Sequence, residues 1–148
     1  MNAKDSHLRF DGSIWVNLYI AVDRVGAVYQ QILDPLGLSV IELYILRTLY
    51  EEDGQLPSRL ARSVGRPATS FTPILDKIVG KGLVERRPDP TDRRSINVYL
   101  TDKALRMRTE VEKAAEIINR TVDKTLPAEK RDGFERVILQ LQAFKLSE

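Results

Sequence analysis

From Ile14 to Leu33 the large apolar side chains recur at Trp15, Leu18, Val22, Val25, Tyr29 and Ile32. Steps of three and four residues place them on one stripe, so the pattern predicts a long amphipathic helix. Pro35 and Gly37, both poor helix continuers, end it. Ser39-Val40-Ile41-Glu42 has the form of a capping box and opens a second helix with Leu43, Leu46, Leu49 and Tyr50 on one face. Asp53-Gly54 breaks that helix. Pro57 suits the first turn of a short third helix, with Leu60, Ala61 and Val64 inside and Gly65 as its stop. A fourth helix carries Phe71, Ile74, Leu75, Ile78 and Val79 and is closed by Gly80 and Gly82. A helix interior resists proline, so Pro73 predicts a start near Thr69 or Ser70, leaving the proline in the first turn.

Beyond Gly82 the period changes from helical to alternating. Leu83-Val84-Glu85-Arg86 reads as a short strand. Arg87 to Arg94 is polar and broken by Pro88 and Pro90, and Ser95 to Leu100 alternates polar with apolar. The expectation is a β-hairpin with a long charged tip. Thr101 then caps a long helix running to about Thr125, with Leu105, Val111, Ala115, Ile118 and Val122 inside. Pro127, with Glu129 in the first turn, starts a last helix bearing Phe134, Val137, Ile138, Leu141 and Phe144. The predicted order is four helices, a hairpin and two helices.

Composition narrows what such a chain can do. At 148 residues with 43% hydrophobic and 30% charged side chains, it has the make-up of an ordinary globular domain. It has no cysteine and one histidine, His7, so thiol redox chemistry is excluded and a metal site is not expected. No apolar run is long enough to span a bilayer, and the first residues lack the apolar core of a secretory signal, so a cytoplasmic location is expected. Asn119-Arg120-Thr121 fits a glycosylation sequon but falls inside a helical pattern, which makes chance its reading. No nucleophile elbow, phosphate-binding glycine loop or zinc-protease motif is present, so an enzyme is not expected, nor a cofactor.

The net charge of +2 says little until it is located. Between Arg59 and Lys103 there are ten basic and five acidic residues, so this segment is +5 and the remainder −3. Two short helices joined by a glycine turn and followed by a hairpin form the winged helix-turn-helix arrangement, and a local basic excess is what phosphate neutralisation needs. The second short helix would enter a major groove by its N-terminal end, presenting Arg66, Thr69, Ser70, Thr72 and Asp76, mostly compact hydrogen-bonding side chains. Helix capping competes for Thr69, Ser70 and Thr72, and one of the three is expected to cap. Arg93 and Arg94 at the hairpin tip are placed to reach a minor groove or a phosphate. Asp92 is expected to orient a neighbouring arginine rather than touch DNA.

These same residues resemble a known family. Leu36-Gly37-Leu38-Ser39 before the second helix, Lys81-Gly82-Leu83-Val84-Glu85-Arg86 after the fourth, and above all Asp89-Pro90-Thr91-Asp92-Arg93-Arg94-Ser95 followed by Val98-Tyr99-Leu100-Thr101 are similar to MarR-family regulators. The resemblance covers roughly Leu33 to Leu105 in motif and the whole chain in helix order. It implies a mainly α fold with a small β-wing: a winged helix-turn-helix DNA-binding lobe over 35–100, and dimerisation helices over 1–34 and 101–148. It further implies a homodimer on a pseudo-palindromic operator in double-stranded DNA, most often a repressor, released by a small aromatic or anionic effector. The apolar faces of the terminal helices agree with dimerisation, and Phe134, Val137, Ile138 and Leu141 are the expected interface. Trp15, Tyr19, Tyr44 and Arg47 are candidates for an effector pocket, with plain core or interface as the competing reading. The alternative function is a winged-helix protein-interaction module without DNA binding, against which the basic wing argues.

Overall fold

The computed structural model describes residues 8–92 and 94–144. His7, Arg93 and the side chain of Val122, all named above, lie outside the described residues. The chain runs α1 (Ile14–Leu33), a 3-10 turn (Asp34–Leu36), α2 (Val40–Glu51), α3 (Pro57–Ser63), α4 (Ala68–Gly80), β1 (Val84–Pro88), β2 (Ile96–Leu100), α5 (Asp102–Arg106), α6 (Arg108–Thr125) and α7 (Ala128–Gln142). Among the described residues no helix is long and apolar enough to cross a membrane.

Helix α2 lies at the centre of the fold. Leu43, Ile45, Leu46 and Leu49 are buried on it, meeting Leu60 of α3 and Phe71, Leu75 and Ile78 of α4 in one core. The expected capping box is present: Glu42 N–H donates to Ser39 Oγ at 3.4 Å, and Ser39 N–H donates to Glu42 Oε2 at 2.7 Å. Glu42 is nevertheless 1% exposed, an unusual place for a charge. Lys81 Nζ donates to Glu42 Oε2 at 2.6 Å and to the Gly37 carbonyl at 2.7 Å. Burial alone pushes the carboxyl's pKa up, but Lys81 and the Ser39 bonds outweigh it and hold the group below its ordinary value of 4.5.

The hairpin pairs Val84 with Leu100 through to Pro88 with Ile96 in antiparallel register. The first strand therefore reaches two residues further than its apolar pattern announced, and Pro88 occupies the last rung, where a missing donor is tolerated. A short third rung comes from the break after α2. Val98 N–H donates to the Gln55 carbonyl at 2.9 Å, and Leu100 N–H donates to Asp53 Oδ1 at 2.9 Å. Gly54 between them has φ +74°, and a Cβ there would stand 2.5 Å from Tyr99 Cε1, so the tight approach of α2 to the wing requires glycine.

Three expectations about elements are corrected. Helix α4 starts at Ala68, because Pro67 serves as its N-cap with a carbonyl that accepts the N–H groups of Ser70 and Phe71. Pro73 therefore lies beyond the first turn, on an exposed face where water can serve the carbonyl it leaves without a donor. The helix after Thr101 is two helices. Thr101 caps as expected, its Oγ1 accepting the Ala104 N–H at 3.3 Å, but the chain breaks at Met107, whose amide is shared between the carbonyls of Lys103 and Ala104. The buried Tyr50 hydroxyl takes the Ala104 carbonyl at 2.7 Å and Arg108 stacks over the Tyr50 ring at 5.3 Å, so tertiary contacts override local helical preference. Leu105, expected inside, is exposed as a result.

The terminal helices are half-dressed. α1 packs against α6, and α6 buries Val111, Ala115 and Ile118. Along α1, Tyr29 and Ile32 pack against the core while Trp15, Val22 and Val25 are exposed, Trp15 at 73%. α7 buries no residue at all, and an Arg131–Asp123 ion pair of 3.0 Å ties it to α6.

The Glu42 carboxylate gives a stability signature in acid. A carboxyl whose folded pKa is depressed contributes stability in full above its unfolded value, and loses it as pH falls through the folded pKa. Urea unfolding of the native chain and of Glu42→Gln is expected to show a gap at pH 6 that closes below about pH 4.5. A gap independent of pH would mean that the charge on Glu42 contributes nothing.

Candidate nucleic-acid interface

The buried stripe of α4, Phe71, Leu75 and Ile78, seats the helix on α2 and turns the opposite side outward. Arg66, Thr69, Ser70 and Thr72 are all exposed on that outer side, with Pro73 between them and Lys77 a turn further on. None of the three hydroxyl residues caps the helix, contrary to expectation. Pro67 holds the N-cap position, which has no side-chain bond, and Ser70 and Thr72 donate backwards to the carbonyls of Pro67 and Ala68 at 3.1 and 3.4 Å. Both hydroxyl oxygens keep their lone pairs for an outside donor. The N-terminal turn of α4 thus faces solvent uncapped, where backbone N–H groups and the helix dipole favour an anion such as phosphate.

Asp76, grouped with the outward-facing residues from the sequence, is occupied. Arg86 Nη2 of β1 donates to its Oδ1 at 2.7 Å, bracing the first wing strand against α4. Arg59 is bound to Glu52 through both guanidinium nitrogens, Arg87 pairs with Glu85 and lies 5.2 Å over the Tyr99 ring, and Lys81 is bound to Glu42. Of the basic excess between residues 59 and 103, Arg62, Arg66, Lys77, Arg94 and Lys103 have no carboxylate partner among the described residues, and Lys103 is spent on the Lys81 carbonyl. These are the cations that do not first have to give up an ion pair.

The wing tip is organised by a residue whose role the sequence did not announce. Asp89 Oδ1 accepts from Thr91 N–H at 2.7 Å, Thr91 Oγ1 at 2.6 Å and Asp92 N–H at 3.0 Å, while its Oδ2 accepts from Asn97 Nδ2 at 2.7 Å. The Thr91 hydroxyl and the two amides hold its carboxyl below the ordinary carboxylate range. Asn97 is buried and spends its second N–H on the Gly54 carbonyl at 2.9 Å, so one line of bonds runs from the end of α2 to the tip. Asp92 holds Arg94 through the main chain, Oδ1 accepting the Arg94 N–H at 3.1 Å, rather than through a guanidinium. Arg94 itself is exposed, and Arg93 lies outside the described residues. The Asp-Pro-Thr-Asp run was legible as a turn; that Asp89 closes it follows from the Asx geometry such a run permits.

The remaining candidates sit elsewhere. An apolar cavity of about 540 Å³ opens between α1, α6 and the link to α7, lined by Arg24, Val25, Val28, Tyr29, Thr121, Thr125, Leu126 and Phe134. Trp15, Tyr19, Tyr44 and Arg47 are not among its lining residues: the first two are exposed on the N-terminal half of α1, Tyr44 is exposed on α2, and Arg47 is half-buried there. Phe134, Val137 and Leu141 are exposed on α7 and Ile138 is half-buried. Among the described residues no group of histidine, aspartate and glutamate is placed to hold a metal ion.

Residues 38–96, the whole of α2 to the start of β2, match the profile of the MarR family. Over that stretch, the winged helix-turn-helix lobe, the chain is similar to the MarR family. Among curated relatives it is 26% identical over 100 residues to the HTH-type transcriptional regulator TtmR of Methylorubrum extorquens, a match covering 68% of this chain and 51% of TtmR. The chain thus spans about half the length of that relative. Among solved structures it is similar to a probable transcriptional regulator from Pseudomonas aeruginosa, at TM-score 0.76 and 25% identity over 90% of this chain and 99% of that one. It also shares its fold with the transcriptional repressor CouR, a protein of Rhodococcus jostii, bound to a 23-mer DNA duplex, at TM-score 0.72 and 24% identity over 86% and 91% of the two chains. In a winged helix-turn-helix lobe of this order, α4 takes the place of the recognition helix and the β1–β2 hairpin that of the wing.

Asp89→Ala removes the acceptor that three tip donors share. The expected outcome is faster hydrogen exchange at the Thr91 and Asp92 amides with α2 and α4 amides unchanged, read by NMR. Unchanged protection at the tip would show that the wing is held by its strands alone.

Proposed function

We propose that the chain is a sequence-specific regulator of transcription that binds double-stranded DNA as a homodimer in the cytoplasm, acting as a repressor on a pseudo-palindromic operator. The observation that carries this reading is the pairing of two open surfaces on one lobe. The uncapped start of α4 offers Arg66, Thr69, Ser70 and Thr72, and the braced wing offers Arg94, with no carboxylate to compete for either arginine among the described residues. Compact hydroxyls at the start of a recognition helix reach base edges and phosphates in a major groove, while an arginine on a wing suits the narrow minor groove beside it. The match of residues 38–96 to the MarR family and the shared fold with a DNA-bound repressor support the same assignment.

The dimer follows from what the lone chain leaves in water. Trp15, Val22 and Val25 on α1 and Phe134, Val137 and Leu141 on α7 are exposed together with the apolar cavity between these helices. Large apolar side chains left exposed beside an apolar cavity are what an interface covers. A second copy related by a twofold axis would cover it and present two copies of α4 about one helical turn of DNA apart.

Selection from a random duplex pool at two salt concentrations tests the assignment. An inverted repeat is expected to be enriched, with affinity that falls steeply as salt rises because phosphate contacts release counterions. A folded dimer that enriches no sequence would favour a protein-interaction role for the lobe. On the enriched site, Arg94→Ala is expected to cost about 1–3 kcal/mol in a binding titration if the side chain reads the groove. Wild-type affinity for that variant would remove the wing from the mechanism. Leu141→Asp is expected to shift sedimentation towards monomer, since a charge at a covered apolar site is left unpaired; an unchanged dimer would place the interface elsewhere.

A further inference from the structure

At the C-terminal end of α4 the link that follows α1 and the segment that opens α5 come together. On the first side, Gln30 on the last turns of α1 donates to the Leu38 carbonyl at 2.9 Å, gripping the link that leads into α2. The next carbonyl back, that of Gly37, accepts Lys81 Nζ at 2.7 Å. Lys81 is the C-cap residue of α4, so one side chain ties the recognition helix to the α1 link and, through Glu42, to the start of α2. On the other side, Lys103 Nζ on α5 donates to the Lys81 carbonyl at 2.8 Å, and Thr101 Oγ1 donates to the Gly82 carbonyl at 2.7 Å.

An ion pair whose carboxylate is buried is a poor choice for stability alone. The two desolvation costs roughly cancel the attraction, and apolar replacements of similar size often hold a fold as well or better. One oxygen of Glu42, Oε1, is buried without any partner, which makes the arrangement costlier still. What such a pair does supply is direction, because an ammonium shared between a carboxylate and a carbonyl fixes the helix end in a way that apolar contact does not. In a twofold dimer, the tilt of each recognition helix relative to the dimerisation arms sets how far apart the two helices enter the DNA.

We infer that Lys81, held by Glu42 and the Gly37 carbonyl, is a positioning residue that fixes the half-site spacing this regulator accepts. The inference rests on the DNA-binding dimer proposed above, and it concerns spacing rather than base contact. Inserting one base pair between half-sites moves them apart by about 3.4 Å and rotates them by roughly 34° about the DNA axis. A rigid joint rejects that change and a loosened one tolerates it.

The test is pool selection followed by titration on sites with one inserted base pair, using the full chain and three variants. The native chain and Lys81→Arg, which keeps the charge and the donors, are expected to enrich a single spacer and to lose about tenfold or more in affinity on insertion. The paired neutral variant, Lys81→Met with Glu42→Gln, is expected to enrich the same half-site with several spacers and to lose less than about threefold. Lys103→Met, whose side chain is exposed and whose loss does not strip a buried charge, carries the same expectation should the paired variant fail to fold. Folded variants that keep the single spacer and the full insertion penalty would overturn the inference, leaving the joint a matter of stability. If the native chain itself enriches no repeat, the DNA-binding reading falls and the positioning role falls with it.

Discussion

Two buried polar anchorages, one at each end of α2, hold every surface that would meet DNA. At its start Glu42 binds Lys81 and so takes hold of the far end of α4; past its end Asp53, Gly54 and Gln55 bind Leu100, Asn97 and Val98 and so take hold of the wing. Apolar burial along Leu43, Leu46 and Leu49 supplies the cohesion, but it is non-directional and would tolerate a recognition helix at several tilts. The hydrogen bonds choose among them. Arg86, joining β1 to Asp76 of α4, then makes the helix and the wing a single braced unit.

The other constraint comes from what α2 cannot cover. α1 and α7 carry large apolar side chains on faces that have no partner within the chain, and α7 contributes nothing buried to the core. Such helices are stable only when a further surface closes over them. This is why the proposed twofold dimer belongs to the fold as well as to the function.

Most of the architecture was legible in the sequence because its signals are local. The Ser39–Glu42 box, Gly65 at φ +64° and the alternation from Ser95 to Leu100 each announce an element through a few neighbouring residues. The misses have two causes, distance along the chain and a cap without a capping side chain. Tyr50 captures the Ala104 carbonyl 54 residues away and breaks a helix that looks continuous, and Pro67, not Pro73, sets where α4 begins. At the site, the outward residues of α4 and Arg94 could be named from periodicity, since the buried stripe fixes which side faces out. The pairing of Asp76 with Arg86 and the node at Lys81 could not, because each depends on which charges the fold brings together, and the bond that ties Asp89 to Asn97 depends on the register of the hairpin.

The measurement that bears most directly on the central claim is a hydroxyl-radical footprint of the full chain on the duplex it selects. Two copies of α4 and two wings on one face of the helix predict two protected patches about ten base pairs apart, symmetric about the centre of the repeat. Each patch is expected to extend outward into a flanking minor groove where Arg94 would lie. A single patch, or continuous protection without that period, would contradict a dimer reading DNA through these two surfaces.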